Sequence, residues 1–356
     1  MFLAFKELKY SKTKFILIIA VVTLIGYLVY FLTSLANGLA SSYTDAIKKW
    51  DADQVVLTVD ANDSMMMSYM NQDDYDAVQI SGLKTKLGLF PAVINNPLAE
   101  DILDSRVDVY FFGIDNDSFI KPSGFKDLSL EGNQVIVDEE LEKEGYKIGD
   151  LFGVTGSTQQ YEIIGFSSKK TYQTAPVVFM SLDTWQEYRY GTINTPDLFS
   201  GVVVRGNINE LPNNLINYSI EDYISTLPGY TAQVLTFSVM IIFLIIITAF
   251  VLGIFIYVLT IQKTSMFGVM KAQGISNGYI AASVIIQVFL LVAFGIVVGL
   301  VLTTLTGVFL SEIIPFAVNI IFYLVITVAF FLFALLGGLF SVRAVLKIDP
   351  LEAIGG

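Results

Sequence analysis

The chain has 356 residues, of which 54% are hydrophobic and only 15% charged, and its mean hydropathy is +0.64. Soluble domains carry about 25% charged residues, so an ordinary globular enzyme, a disordered chain and a collagen-like chain are all excluded. The absence of cysteine removes disulfide frameworks, zinc-thiolate sites and iron–sulfur clusters, and the absence of histidine removes Ser-His triads, HExxH zinc sites and His-ligated haem. The net charge of -12 argues against a nucleic-acid partner, which calls for a basic surface.

In chain order, four stretches lack any Asp, Glu, Lys or Arg: Phe15–Thr44, Thr231–Gln262, Ala272–Ser311 and Ile313–Val342. A spanning helix needs about 20 apolar residues, and a helix satisfies its own backbone hydrogen bonds in lipid. No alternating pattern points to a barrel, so four transmembrane helices are predicted. The first stretch is about twice the length of a signal-peptide apolar region and is expected to be retained, rising above the membrane as a stalk.

The flanking charges set an orientation. Lys6, Lys9, Lys12 and Lys14 precede the first stretch, Lys263 and Lys271 lie between the second and third, and Arg343 and Lys347 follow the fourth. The segment Asp45–Tyr230 instead holds 13 basic and 29 acidic residues, and Glu312 stands alone between the last two stretches. The positive-inside rule puts both termini and the second connection in the cytoplasm, with the long acidic segment and the Glu312 turn outside. The expected parts are a cytoplasmic N-terminus (1–14), helix 1 and stalk (15–44), an extracytoplasmic domain (45–230) and helix 2 (231–262). A cytoplasmic coupling loop (263–278), helix 3 (279–311), an outer turn with helix 4 (312–342) and a cytoplasmic tail (343–356) follow.

The acidic segment reads as α+β. Asp53–Val59, Val107–Ile114, Asn133–Val137, Tyr161–Phe166, Val177–Met180 and Gly201–Val204 are short β-rich runs between turn formers. Asp138–Gly145 and Ser181–Tyr190 are capped helices, and Asp73–Leu83 reads as a third. Nothing here looks catalytic: Glu139 and Glu140 sit on a solvated helix face, and Lys169-Lys170 reads as a surface pair beside a strand end. Met65, Met66, Met67 and Met70 are either a loop tip or partner contact, or a soft thioether group. No GxxxxGK[ST] motif occurs, so any ATP is brought by another chain.

The second connection, Gln262–Gly278, holds Met266, Phe267, Val269 and Met270 at helical spacing, followed by Lys271 and the stop Gly274. An apolar stripe on the cytoplasmic side calls for a partner protein.

Here a resemblance becomes specific. FGVMKAQGIS (267–276) resembles the coupling helix of FtsX-like, MacB-type ABC transporter permeases, and KIDPLEAI (347–354) resembles the family's closing motif. VIVDEELEKEGYKIGD (135–150) and YEIIGF (161–166) resemble its outer core domain, while Thr264-Ser265 stands where the family often has charged residues. The N-terminal MFLAFKELKYSKTKF, YLVYFLTSLANGLA (27–40) and KKTYQTAP (169–176) are similar to haem-efflux permeases of the Hrt type from Gram-positive bacteria.

The resemblance implies an α-helical membrane protein with four transmembrane helices, a type VII ABC permease, plus the α+β extracytoplasmic domain between helices 1 and 2. It implies a non-catalytic permease subunit in the plasma membrane, a homodimer paired with two copies of an ATPase subunit that carries ATP-Mg. Met266, Phe267, Val269, Met270 and Lys271 would couple the two by mechanotransmission. The implied cargo is haem. Without His or Cys the iron can meet only Tyr, Met or a carboxylate, and no other metal is expected. Tyr172 and Tyr230 stand where a lateral, outer-leaflet site needs them, with Tyr27, Tyr30 and Met240 as weaker candidates. The absence of charge within the spans argues against an ion-coupled carrier. Two other readings stay open: a non-transporting regulator of a cell-wall hydrolase, and an exporter or sensor of antimicrobial peptides or lipids.

Overall fold

A computed structural model describes residues 12–95, 106–191, 196–310 and 313–346. The closing motif from Lys347 onward, Lys6, Lys9 and Glu312 lie outside the described residues. The chain divides into two compact units, one from the described parts of 1–39 and 234–356, the other from the described parts of 40–233.

In the first unit the apolar stretches form long helices. They are α1 (Lys12–Lys48, whose last residues belong to the second unit), α6 (Tyr230–Ile261), α8 (Asn277–Leu310) and α9 (Ile320–Leu346). All four contain segments long and apolar enough to cross a membrane. With no hydrophobic force between helices in lipid, small residues set the packing. α1 lies against two glycines of α8: a Cβ on Gly295 would stand 2.5 Å from Val22 Cγ1, and one on Gly299 3.1 Å from Tyr27 N. Hydroxyls stitch α1 to α9: Tyr30 and Thr327 share a hydrogen bond of 2.6 Å, as do Ser34 and Tyr323. α6 is held mainly by its C-terminal half, where Leu252 and Ile256 are buried. Its N-terminal half leaves Leu235 and Phe243 about 60% exposed in a single chain.

The second unit is built on a ten-stranded sheet. Its strands are β1 (Gln54–Thr58), β2 (Gln79–Asn95), β3 (Val107–Ile114), β4 (Gln134–Asp138) and β5 (Leu151–Val154). They continue with β6 (Gln160–Ser167), β7 (Thr171–Tyr172), β8 (Ala175–Ser181), β9 (Gly201–Glu210) and β10 (Leu215–Ser219). The order is β10-β1-β9-β2-β3-β8-β4-β6-β5, with β7 on β8; β5 also pairs with β2, so six strands close into a ring. The pairs β3–β8 and β4–β6 are parallel.

Both faces of this sheet are buried, which is why its strands read as continuous apolar runs. Alternate residues enter different cores: Phe111, Val178, Val202 and Val204 go to one, and Phe112, Val177, Phe179 and Val203 to the other. The first core is closed by α4 (Leu182–Tyr190) through Leu182 and Trp185. The second is closed by the end of α1 (Ala46, Ile47), by Trp50 in the turn that follows it, and by α5 (Ile220–Thr226). Trp185 lies over paired glycines: a Cβ on Gly88 or Gly113 would come within 2.5 Å of it. α2 (Gln72–Ala77) and α3 (Glu140–Lys143) are short.

Two sequence expectations change here. The helix expected over Asp73–Leu83 stops at Ala77, and residues from Gln79 onward form the longest strand of the sheet. The capping box of Asn71 and Asp74 starts a helix, but pairing with β3 and β9 claims the following residues. The methionine group is mainly packing: Met65 and Met70 are buried, and only Met67 is well exposed.

Candidate functional site

The KKTYQTAP segment forms a two-residue hairpin. Tyr172 pairs with Ala175, and both Gln173 (φ 48) and Thr174 (φ 70) adopt left-handed backbone, as a type I′ turn requires. Neither is glycine or asparagine, which costs on the order of 1 kcal/mol each. Tertiary bonds offset this. The N–H groups of Gln173 and Thr174 donate to the carbonyls of Tyr43 and Ser42 near the end of α1, at 3.0 and 3.2 Å. The Gln173 side chain accepts from Tyr110 at 2.9 Å.

Tyr172 itself is buried at 2% exposure. Its hydroxyl shares a 2.9 Å hydrogen bond with Tyr223 of α5, and Tyr110 and Phe112 meet its ring edge to face. Burial pushes both hydroxyls well above the ordinary phenol value. A phenolate, the form that binds ferric iron, is therefore disfavoured at Tyr172 in this arrangement.

Tyr230, at the start of α6, is half-buried and stands 6.0 Å from Tyr43 of α1, ring centre to ring centre. It packs against the same core to which Tyr172 belongs. The two tyrosines thus share one aromatic layer with Tyr43, Tyr110 and Tyr223, three residues that sequence reasoning missed. With 18 tyrosines in the chain, only the fold could select them.

The weaker candidates separate. Tyr30 is fully buried within the bundle, and Tyr27 shares a 3.3 Å hydrogen bond with Thr306. Both are placed as packing residues. Met240 is 43% exposed on α6. Among the described residues no three His, Cys, Asp or Glu side chains gather to hold a metal ion.

The expected coupling segment is helical: α7 spans Thr264–Ala272. It ends as a Schellman motif, with Gly274 at φ +84, its N–H on Lys271 O at 2.9 Å and Ile275 N–H on Met270 O at 3.0 Å. The predicted single stripe divides. Phe267 is buried at 1% exposure against Ile280, Val284 and Val342, with Met270 beside it. Met266 and Val269 remain exposed, at 36% and 43%, and Lys271 is half-buried. α7 therefore anchors through one face and presents the other.

One lysine is also not where the sequence put it. Lys170, read as a surface residue, is 7% exposed, whereas Lys169 is exposed. Its backbone N–H donates to the fully buried carboxylate of Asp138, which draws the strand end inward.

Residues 238–350 match the FtsX-like permease C-terminal family. Over 99% of both chains the protein is 27% identical to a Staphylococcus epidermidis protein named as a hemin transport system permease, HrtB, and 26% identical to the protein of that name from Staphylococcus haemolyticus. It is also 22% identical to an uncharacterized ABC transporter permease of Mycobacterium tuberculosis, over its full length and 99% of the relative. Among solved structures, the periplasmic region of MacB from Actinobacillus actinomycetemcomitans aligns with 49% of this chain and 92% of its own, at 9% identity and a TM-score of 0.32. The FtsX-like match thus spans the last three of the four apolar helices, and the β-rich domain between the first two lies outside it.

Proposed function

We propose that this chain is the permease subunit of an ABC exporter that expels haem from the membrane. The observation that carries this reading is the 27% identity, over nearly the whole of both chains, to a permease named for hemin transport. The chain has no nucleotide-binding P-loop, so ATP-Mg is bound and hydrolysed by a separate subunit, of which two copies serve two copies of this chain. The charge distribution supports cytoplasmic termini, a cytoplasmic α7 and an extracellular domain. The uncovered N-terminal half of α6 is what a helix has when it meets lipid or a second copy.

In this scheme the ATPase subunits close and push on α7. Met266 and Val269 fit the contact, because their side chains are exposed while Phe267 holds α7 to its neighbours. Movement passes along α1 and α6, the two helices that lead into and out of the outer domain in sequence. Such transmission needs rigid elements with two discrete arrangements. Haem meets a cavity at the outer leaflet and leaves when it narrows. Tyr230 and Met240 can reach such a cargo as they stand, whereas Tyr172 must first give up its bond with Tyr223.

The test is the absorption spectrum of the complex purified from haem-fed cells, together with haem tolerance. Tyr230→Ala is expected to shift the haem band and lower tolerance. A complex that takes up no haem, in cells whose haem tolerance survives deletion of the gene, would overturn the cargo assignment.

A further inference from the structure

The outer domain carries an acidic excess, 13 basic against 29 acidic residues, yet one of its cavities is strongly cationic. This cleft, of about 590 Å³, is lined by Lys49, Lys121, Lys126, Lys170 and Arg205, with Asp51 as its one carboxylate. Asp51 is already engaged, 3.1 Å from the Arg205 guanidinium. Among the described residues no carboxylate lies within ion-pair distance of the four lysines. Two of them are deeply buried: Lys121 at 3% and Lys170 at 7% exposure.

Burying cations is costly, and the nearby carboxylates, Asp45 and Asp138 by Lys49 and Lys170 and Asp117 by Lys121, act on these lysines without reaching ion-pair distance. Neutral carbonyls hold two of the lysines in place. Lys121 donates to Asn116 O and Leu128 O, and Lys49 to Ser168 O. Carbonyls fix the position of an ammonium group but leave its charge uncancelled. Lys170 makes no side-chain hydrogen bond among the described residues, and its burial beside Lys49 pushes its ammonium down to about 8. Trp50, on the same wall, is buried with its indole N–H unpartnered among the described residues.

The rest of the wall is aromatic. Phe119 lies under the Arg205 guanidinium at 4.5 Å, and Phe125 and Phe166 line the cleft beside it. Water alone is poor company for such a surface, and the volume falls in the range of small-molecule sites, about 300–1,000 Å³.

We infer that this cleft is a binding site for an oxyanion head, carboxylate or phosphate, borne on a molecule with an apolar body. The lysines and the Trp50 N–H supply donors to the oxyanion, and the phenylalanines cover the adjoining apolar part. Two sources share this chemistry: a free amphiphilic acid such as a porphyrin dicarboxylate, and the phosphate head of an anionic lipid. The site does not depend on the haem-export reading, because no iron ligand takes part in it.

The experiment uses the full-length protein in phosphatidylcholine nanodiscs, titrated calorimetrically with three probes. These are inorganic phosphate, dihexanoyl phosphatidylglycerol, and metal-free protoporphyrin compared with its dimethyl ester. Metal-free porphyrin keeps tyrosine–iron ligation out of the readout, so failure here is separate from failure of haem export. Saturable binding of at least one anionic probe is expected, with the ester weaker than the free acid. Affinity should fall at least tenfold in Lys170→Met, fall less in Lys126→Gln, and return in Lys170→Arg. Lys147→Gln, outside the cleft, should bind as wild type. Lys126 is exposed, so its variant keeps the test informative if Lys170→Met folds poorly. Tight phosphatidylglycerol binding with no porphyrin binding assigns the lipid source, and the converse assigns the acid. No saturable binding by any probe, or wild-type affinity in both Lys170→Met and Lys126→Gln, overturns the proposal.

Discussion

The role of Tyr172 can be decided by comparing it with Tyr223. Each hydroxyl is the other's partner at 2.9 Å in a buried layer, so Tyr172→Phe leaves the Tyr223 hydroxyl orphaned, and Tyr223→Phe does the reverse. Leaving one buried polar group unsatisfied costs about 1–3 kcal/mol, whereas removing both partners is nearly neutral. Both single variants should therefore lower outer-domain stability by about 1–3 kcal/mol, and the double variant should lose much less than their sum. For a unit of this size each kcal/mol moves the thermal midpoint by about 2–4 °C. Tryptophan fluorescence during thermal unfolding reads this directly, since Trp50 stacks with Tyr223 at 6.5 Å between ring centres. The same four proteins should be loaded with haem. If Tyr172 acts only by packing, Tyr172→Phe and Tyr223→Phe will perturb the haem band equally. A shift in Tyr172→Phe alone, or single-variant losses that simply add in the double variant, would refute the reasoning.

Other outcomes follow from the same contacts. Gly295→Val should force α1 and α8 apart, since a Cβ there stands 2.5 Å from Val22, at a cost of about 1–3 kcal/mol; lower yield of monodisperse protein, partly rescued by Val22→Ala, is the check. Val269→Asp should leave expression and thermal midpoint unchanged but abolish co-purification with the ATPase, whereas Phe267→Asp should lower expression itself. Retained co-purification in Val269→Asp would remove the exposed face of α7 from the coupling role. Lys170 titrates near 8 when folded and near 10.5 when unfolded, so the unfolded chain binds more protons between those values. Outer-domain stability should accordingly rise as pH increases from about 8 to about 10.5. Lys170→Met should flatten that rise, measured against the surrounding Lys49, Asp45 and Asp138.

Much of the architecture was legible in the chain because it rests on local quantities. A charge-free run of 30 residues has few alternatives to a spanning helix, and α7 was visible from its apolar spacing and Gly274. Strands with a long apolar run, such as Val107–Ile114 and Gly201–Val204, were equally plain. β2 was not, because Gly82, Gly88 and Pro91 break its pattern and Lys84 and Lys86 dilute it. Gly88 has a tertiary reason, the Trp185 ring that arrives from a helix nearly a hundred residues later.

By itself, the sequence determined what this protein is made of: four lipid-compatible helices, an acidic insertion after the first, no histidine or cysteine, and no GxxxxGK[ST] motif. Those are properties of runs and totals, and no folding is needed to read them. The tertiary structure alone decided which of 18 tyrosines share a layer, that Tyr172 is closed while Tyr230 is reachable, and that α7 shows Met266 and Val269 but hides Phe267. It also turned a pair of lysines read as surface residues into one surface residue and one buried cation that lines a cleft with Lys121 and Arg205. These depend on contacts between residues far apart in sequence, such as Tyr43 and Tyr230, where burial and the partners that meet there, not composition, set the chemistry of a side chain.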